Sequence, residues 1–143
     1  MDRDVLTDIQ FRPDLDGLRK KLRVRDGGGW GERFARLVQE AEAIARPRAL
    51  YGVAYVDSRS EGSVVVDGIE FHSRVLRVNL ENSHRVFPFV VTCGTELHEW
   101  AAAQDDVLQR YYADEIAEAA LRQAMGALRD HVTHKYALRR TST

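Results

Sequence analysis

A regular apolar repeat towards the C-terminal end constrains the fold of this 143-residue sequence more than any other feature. From Asp105 or Asp106 onward, apolar side chains recur every four residues, at Leu108, Tyr112, Ile116, Ala120, Ala124 and Leu128. This spacing places them on one face, so it predicts a single long helix with a buried stripe. The small alanine side chains permit close approach, and we expect the helix to lie across a sheet.

Two shorter helices are predicted near the start of the chain. Leu15, Leu18 and Leu22 recur at spacings of three and four, and Asp14 is a candidate N-cap. The glycine-rich stretch RDGGGWGE then interrupts the pattern, because three consecutive glycines leave the backbone too free to continue a helix. An apolar stripe predicts the second helix over residues 32–46, and Pro47 marks its end.

Segments rich in β-branched and aromatic residues lie between these helices. RALYGVAYVD and SVVVDGIEF read as strands, and Asp67-Gly68 is a hairpin-turn signal. SRVLRVNLEN fits a strand and a helix equally, whereas RVFPFVVT reads as a strand in which Pro88 indicates an edge, a bulge or an early position. We therefore expect an α+β fold with N-terminal helices, a twisted, mainly antiparallel sheet and a long C-terminal helix packed on the sheet.

Length and composition narrow the class of protein. The length predicts one domain over residues 1–143, with residues 1–30 as an N-terminal extension and glycine-rich loop and residues 137–143 as a frayed tail. Because 21 Lys and Arg balance 22 Asp and Glu, a nucleic-acid or membrane partner is disfavoured. A single cysteine and the lack of an apolar leader in MDRDVLTDIQ indicate a cytoplasmic location.

The stretch VVTCGTELHEW, in which a strand runs through a small turn into a helix, is the first candidate site. The free N–H groups of a helix N-terminus after Gly94 can hold an anion. Alternatively, Thr95 is an N-cap and Glu96 complements the helix dipole without any ligand, which we favour. Cys93 as a nucleophile requires a base such as His98 and a lowered pKa, so packing is the favoured role of this thiol.

Histidines provide the second candidate site. His131 and His134 are three residues apart on the long helix, a spacing at which two imidazoles can bind one metal ion. A third ligand would have to come from Asp130 or from a distant histidine, so solvated surface histidines are favoured and we expect no metal site. We likewise expect no catalytic residues in this chain.

Four segments in this order carry a resemblance to a known family: ARPRALYGVAYV, VVVDGIEFHSRVL, FPFVVTCGTELHEW and DVLQRYYADEIAEAALRQAMGALRDHV. Over residues 32–132 the chain resembles the activation, or reactivation, domain of cobalamin-dependent methionine synthase, and especially the short, stand-alone members of that family. TCGTELHEW resembles the strand-T-x-G-helix turn of the family. ADEIAEA, at residues 113–119, resembles the ADxxAEA pattern of its long helix.

The resemblance implies a ligand and a partner. The glutamate of the AEA triplet lines the S-adenosylmethionine site in the full-length domains, and that position is Glu118 here. Without the resemblance, Glu118 reads as a surface charge spaced i,i+4 from Arg122. The family's ligand-wrapping arginine and GYPACP-type turn do not follow the helix in this sequence, so S-adenosylmethionine binding is not carried over. The resemblance instead implies a helper beside a separate corrinoid protein, with the cobalamin bound by that partner.

The expected function is therefore to dock on a methionine synthase or related corrinoid methyltransferase and to support its reductive reactivation. Residues of the turn and of the long helix are the candidates for ligand binding or docking: Thr92, Gly94, Thr95, Tyr111, Tyr112, Asp114 and Glu118. Two alternatives stay open. One is a small S-adenosylmethionine-binding methyltransferase component, and the other is a structural domain that forms homo-oligomers.

Overall fold

The computed structural model describes residues 2–139 and 141. The chain alternates helices and strands in the order β1 (Asp2–Leu6), α1 (Leu15–Leu22), α2 (Trp30–Ile44), β2 (Arg48–Arg59), β3 (Val64–Val66), β4 (Ile69–Phe71), α3 (Arg74–Asn79), β5 (Arg85–Val86), β6 (Phe89–Thr92), α4 (Thr95–Ala102) and α5 (Val107–Lys135). This composition confirms the predicted α+β class. By their internal contacts, the residues form two compact units.

The first unit contains the residues up to Val5 together with Leu50–Val90, and it holds most of the sheet. Within the described residues the sheet has six strands, and β2 pairs with β3, β5 and β6. β2 runs antiparallel to β3 and to β5, and β3 runs antiparallel to β4. Three buried side chains, Ala54, Val64 and Val66, form the centre of its small apolar core.

The Asp67-Gly68 turn joins β3 to β4 as the sequence predicts. Both residues have positive φ, 47° and 78°, as a two-residue hairpin loop that follows the strand twist requires. The Asp67 side chain accepts a hydrogen bond from the Tyr55 N–H at 2.8 Å, and the Asp57 side chain accepts one from the Gly68 N–H at 2.8 Å. These two bonds tie the turn to β2.

The segment that fits strand and helix equally is a helix, α3. Ser73 stabilises this helix, because its hydroxyl accepts a hydrogen bond from the Leu76 N–H and caps the first turn. RVFPFVVT, in turn, forms two short strands instead of one. Pro88 lies between them without an N–H to donate, while its carbonyl accepts a hydrogen bond from the Gly52 N–H at 2.9 Å.

The second unit contains Leu6–Ala49 and the residues from Val91 onward, and it is helical. α2 packs against α1, α4 and α5, and α4 packs against α5. One apolar core holds these helices together, and its buried members are Phe11, Leu18, Phe34, Leu37, Val38, Ala41, Ala45, Leu97, Tyr112, Ile116 and Ala120. Both predicted N-terminal helices are confirmed, with Asp14 accepting a hydrogen bond from the Gly17 N–H at the start of α1.

The long helix α5 begins after Asp106, whose carboxylate accepts hydrogen bonds from the N–H groups of Leu108 and Gln109 at 2.8 and 3.1 Å. The predicted stripe is buried from Tyr112 to Leu128. Leu108, which the same repeat assigns to the stripe, is 40% exposed because it lies in the first turn, one turn before the first buried position. α5 ends at Lys135, and three residues of the predicted frayed tail, at 140, 142 and 143, lie outside the described residues.

Candidate functional site

The TCGTE corner (Thr92–Glu96) connects β6 to α4 through a conformation that requires glycine. Gly94 is buried and has φ 101° and ψ 144°. A Cβ atom on this residue would lie 3.1 Å from the Arg46 Cβ and 3.2 Å from the Arg46 backbone nitrogen. The Arg46 N–H donates to the Cys93 carbonyl at 2.9 Å, so the corner is fastened to the chain that follows α2.

One side chain of the corner makes a hydrogen bond within it. The Thr92 hydroxyl accepts a hydrogen bond from the Gly94 N–H at 3.0 Å, whereas Thr95 is the first helical residue and makes no side-chain cap, contrary to the expected N-cap role. Glu96 lies in the first turn of α4, and its Oε2 is 3.1 Å from the position that a Cβ on Gly94 would take. A carboxylate already complements this helix terminus and repels a second anion, which favours the structural interpretation of the corner.

Cys93 has the surroundings of a packing residue. Its side chain is partly buried against the helical core. Burial raises the pKa of the Cys93 thiol, and a hydrogen bond from the residue's own backbone offsets only part of that effect. A nucleophilic cysteine needs the opposite shift. His98, the candidate base, is exposed on α4, and no hydrogen bond in the described part of the chain joins it to the thiol.

Three of the predicted docking residues share one exposed face of α5. Tyr111, Asp114 and Glu118 follow each other at spacings of three and four, and all three are exposed. Val107 and Leu108 begin the same face with 86% and 40% of their surface exposed, and Tyr111 is 49% exposed. We call these five residues the docking face. Its first part is apolar and aromatic, and its second part is acidic.

The two neighbouring tyrosines have opposite environments. Tyr112 is 6% exposed, and its ring makes edge contacts with Trp30 and Phe34 at centroid distances of 5.5 and 5.3 Å. It is therefore a core residue and cannot contact a partner directly. The Tyr111 ring lies 5.8 Å from that of Tyr112. The exposed tyrosine therefore packs against a tyrosine that is fixed in the core.

The corner and the docking face are not joined by a polar contact among the described residues. Thr92 and Thr95 are exposed, but within residues 2–139 no hydrogen bond or ion pair links the corner to Tyr111, Asp114 or Glu118. Glu118 instead pairs with Arg122 at 3.3 Å, the i,i+4 contact expected from the sequence. No described polar contact therefore joins the two groups of candidates.

Sequence reasoning missed Val107 and Leu108 as members of the docking face. Leu108 was assigned to the buried stripe, and Val107 lies outside the four-residue repeat. The available signal was their position directly after the capping residue Asp106, because the first turn of a helix often extends past the surface that its later turns cover.

A metal site is not apparent in the part of the chain that the structure describes. No group of three or more His, Cys, Asp or Glu side chains there is arranged to hold a metal ion. His131 is partly buried and His134 is exposed on the last turns of α5. The pair alone provides too few ligands for a structural zinc site.

Searches of the chain against protein-family models and against curated protein sequences find no match. Of the helices described here, none combines the length and the apolar character needed to cross a membrane.

Proposed function

We propose that this protein docks on a cobalamin-dependent methyltransferase of the methionine synthase type and supports its reductive reactivation. Two observations support the proposal: the resemblance carried by residues 32–132, and the docking face on α5. In this proposal the cobalamin belongs to the partner, and the present chain supplies a binding surface. We expect the protein to act in the cytoplasm, where its free cysteine stays reduced.

The docking face is the main structural support for the proposal, because its composition is typical of surfaces that bind other proteins. Val107, Leu108 and Tyr111 form a group of exposed apolar side chains, and such groups mark interaction sites more often than single exposed residues do. Tyrosine adds a large contact area with little loss of side-chain entropy and is enriched at interfaces. Asp114 and Glu118 extend the face with negative charge, which favours a basic partner surface and orients its approach.

The helper acts through differential affinity. A reactivating partner raises the population of the state in which oxidised cobalamin is accessible only as far as it binds that state more tightly. If that state is populated at about 1%, a roughly 100-fold preference brings it to about half of the molecules. No side chain of the helper then has to take part in the chemistry at cobalt.

The proposal is tested by titrating a purified cobalamin-dependent methionine synthase with this protein and measuring the dissociation constant by calorimetry. Tyr111→Ala removes the centre of the docking face, and we expect it to weaken binding about tenfold or more, as loss of an interface anchor does. Tyr55→Ala is the matched control, since Tyr55 is a comparably exposed tyrosine, at 55%, on β2. We expect this control to bind like the wild type.

When a one-electron reductant and S-adenosylmethionine as methyl donor are added to the Co(II) form of the synthase, the bound protein should also speed the formation of methylcobalamin, followed by its absorbance. Equal affinities for both tyrosine variants, or no binding at all, would refute the proposal. Titration with S-adenosylmethionine distinguishes the proposed docking role from the enzyme alternative. Saturable binding that Glu118→Ala abolishes would favour a methyltransferase component instead. Glu118→Ala removes only an exposed ion pair worth about 0.3–0.5 kcal/mol, so the variant should remain folded.

A further inference from the structure

An open groove in the helical unit is not used by the proposed docking. It has a volume of about 830 Å³ and lies among the 7–13 segment, the end of α2, the start of β2 and the first turn of α4. We call it the arginine groove, after Arg12, Arg46 and Arg48 in its lining. Its volume falls within the range of small-molecule sites, about 300–1,000 Å³.

The groove contains charges that do not neutralise one another. Glu42 and Glu96 also line it, yet neither is within ion-pair distance of an arginine in the described residues. Glu42 and Arg46 have the i,i+4 spacing of a helical ion pair. The pair does not form because α2 ends at Ile44, so Arg46 lies beyond the helix, where its Nη1 donates to the Ala43 and Ala45 carbonyls at 3.1 and 2.9 Å.

The guanidinium of one arginine and the main chain of another are held in position before any ligand binds. The bonds from Nη1 fix the Arg46 guanidinium and leave its other N–H groups available. The main chain of Arg12 is clamped by Gln123 of α5, which accepts from the Arg12 N–H at 2.9 Å and donates to the Arg12 carbonyl at 2.7 Å. Phe11, 5% exposed, anchors the same segment in the core. Such preorganisation lowers the entropic cost of binding.

We propose that the arginine groove binds a small ligand through an oxyanion, either a phosphate or a carboxylate group. The planar guanidinium presents its donors in a fork that matches two oxygens of such a group. The side chain of Arg48 is exposed and makes no hydrogen bond or ion pair within the described residues, so all donors of its guanidinium are available.

The two glutamates restrict the ligand further. Three arginines and two glutamates give the lining one net positive charge, which suits a ligand with a single anionic group. The carboxylates of Glu42 and Glu96 accept hydrogen bonds and repel additional negative charge. We therefore expect a ligand that carries one oxyanion and, at its other end, hydroxyl or amino donors.

Calorimetric titration of the whole chain with inorganic phosphate and with lactate tests the proposal and separates the two oxyanion classes. We expect saturable binding of at least one probe, weakened about tenfold by Arg48→Gln because a charge-assisted bond is lost. Arg36→Gln is the matched control: it removes an exposed arginine of α2 that lies outside the groove. We also expect Glu42→Gln to tighten phosphate binding severalfold, since it removes a repulsive charge.

Two results would overturn the proposal: no saturation by either probe up to about 50 mM, a concentration at which even weak sites fill, or equal weakening by Arg48→Gln and Arg36→Gln. The second result would mean that net charge, and not the groove, attracts the anion. Circular dichroism of each variant verifies that it is folded. Binding to the corrinoid partner should be unchanged in Arg48→Gln, so this test and the docking test can fail independently.

Discussion

Replacing Gly94 by alanine tests whether the TCGTE corner is a structural element. Its φ of 101° lies where residues with a Cβ atom are rarely found, and adopting it costs on the order of 1–3 kcal/mol. The new methyl group would also lie 3.2 Å from the Arg46 nitrogen, so that backbone must move. Its movement strains the 2.9 Å bond to the Cys93 carbonyl, which is worth about 1 kcal/mol.

Alanine lowers the conformational entropy of the unfolded chain relative to glycine, and this effect stabilises the folded protein by about 0.4–1 kcal/mol. We therefore expect Gly94→Ala to lower the free energy of unfolding by about 1–3.5 kcal/mol, as measured by urea denaturation. At this chain length each kcal/mol corresponds to roughly 4 °C in Tm.

Gly126→Ala is a control that we expect to change the free energy of unfolding in the opposite direction. Gly126 lies inside α5, is exposed, and has no atom within 4 Å of the position that its Cβ would take. Because alanine is the better helix former, this variant should gain about 0.5–1 kcal/mol. A Gly94→Ala protein as stable as the wild type within 0.5 kcal/mol would refute the assignment of a glycine-only corner, whatever the control shows.

Two further predictions concern the helical unit. Asp106→Ala removes the cap of α5 and should lower the free energy of unfolding by about 1 kcal/mol, as measured by urea denaturation. Asp105→Ala changes the neighbouring residue, which has no described bond, and should leave that free energy unchanged. Equal effects of the two variants would contradict the cap assignment. Because burial raises the pKa of Cys93, its reaction with iodoacetamide at pH 8 should be slower than that of free glutathione, and a faster reaction would contradict packing. The raised pKa favours the neutral thiol in the folded chain, so its contribution to stability is present below the pKa of the unfolded thiol and is lost as the pH rises through the folded value.

The helices were predictable because their signals are local. Asp14 and Asp106 are capping residues directly before apolar repeats, and both helices begin after them. The hairpin at Asp67-Gly68 was predictable for the same reason, since the two residues alone supply the positive φ values that the turn needs. In these cases the information lies within four residues of the feature.

Features whose local signals are ambiguous, and features that depend on distant residues, were not predictable. SRVLRVNLEN satisfies both periodicities, and the cap from Ser73 became evident only once the helix was known. The arginine groove brings together residues 7–13, 42–48 and 96, which no pattern in the sequence relates. The absence of the Glu42–Arg46 ion pair was not predictable either, because the apolar stripe places the end of the helix at residue 46, whereas α2 ends at Ile44.

The division of roles along α5 follows from the phase of one repeat. Tyr112 and Ile116 are buried, so positions one residue earlier or two residues later along the same turns must face outward, as Tyr111, Asp114 and Glu118 do. Two adjacent tyrosines are thereby assigned to different tasks: one is fixed by aromatic contacts in the core, and the other is presented at the surface on top of it. A substitution at Tyr112 would therefore alter stability and binding together. Of the two tyrosines, only Tyr111 can be substituted to change binding without changing stability. The docking experiment therefore uses that residue.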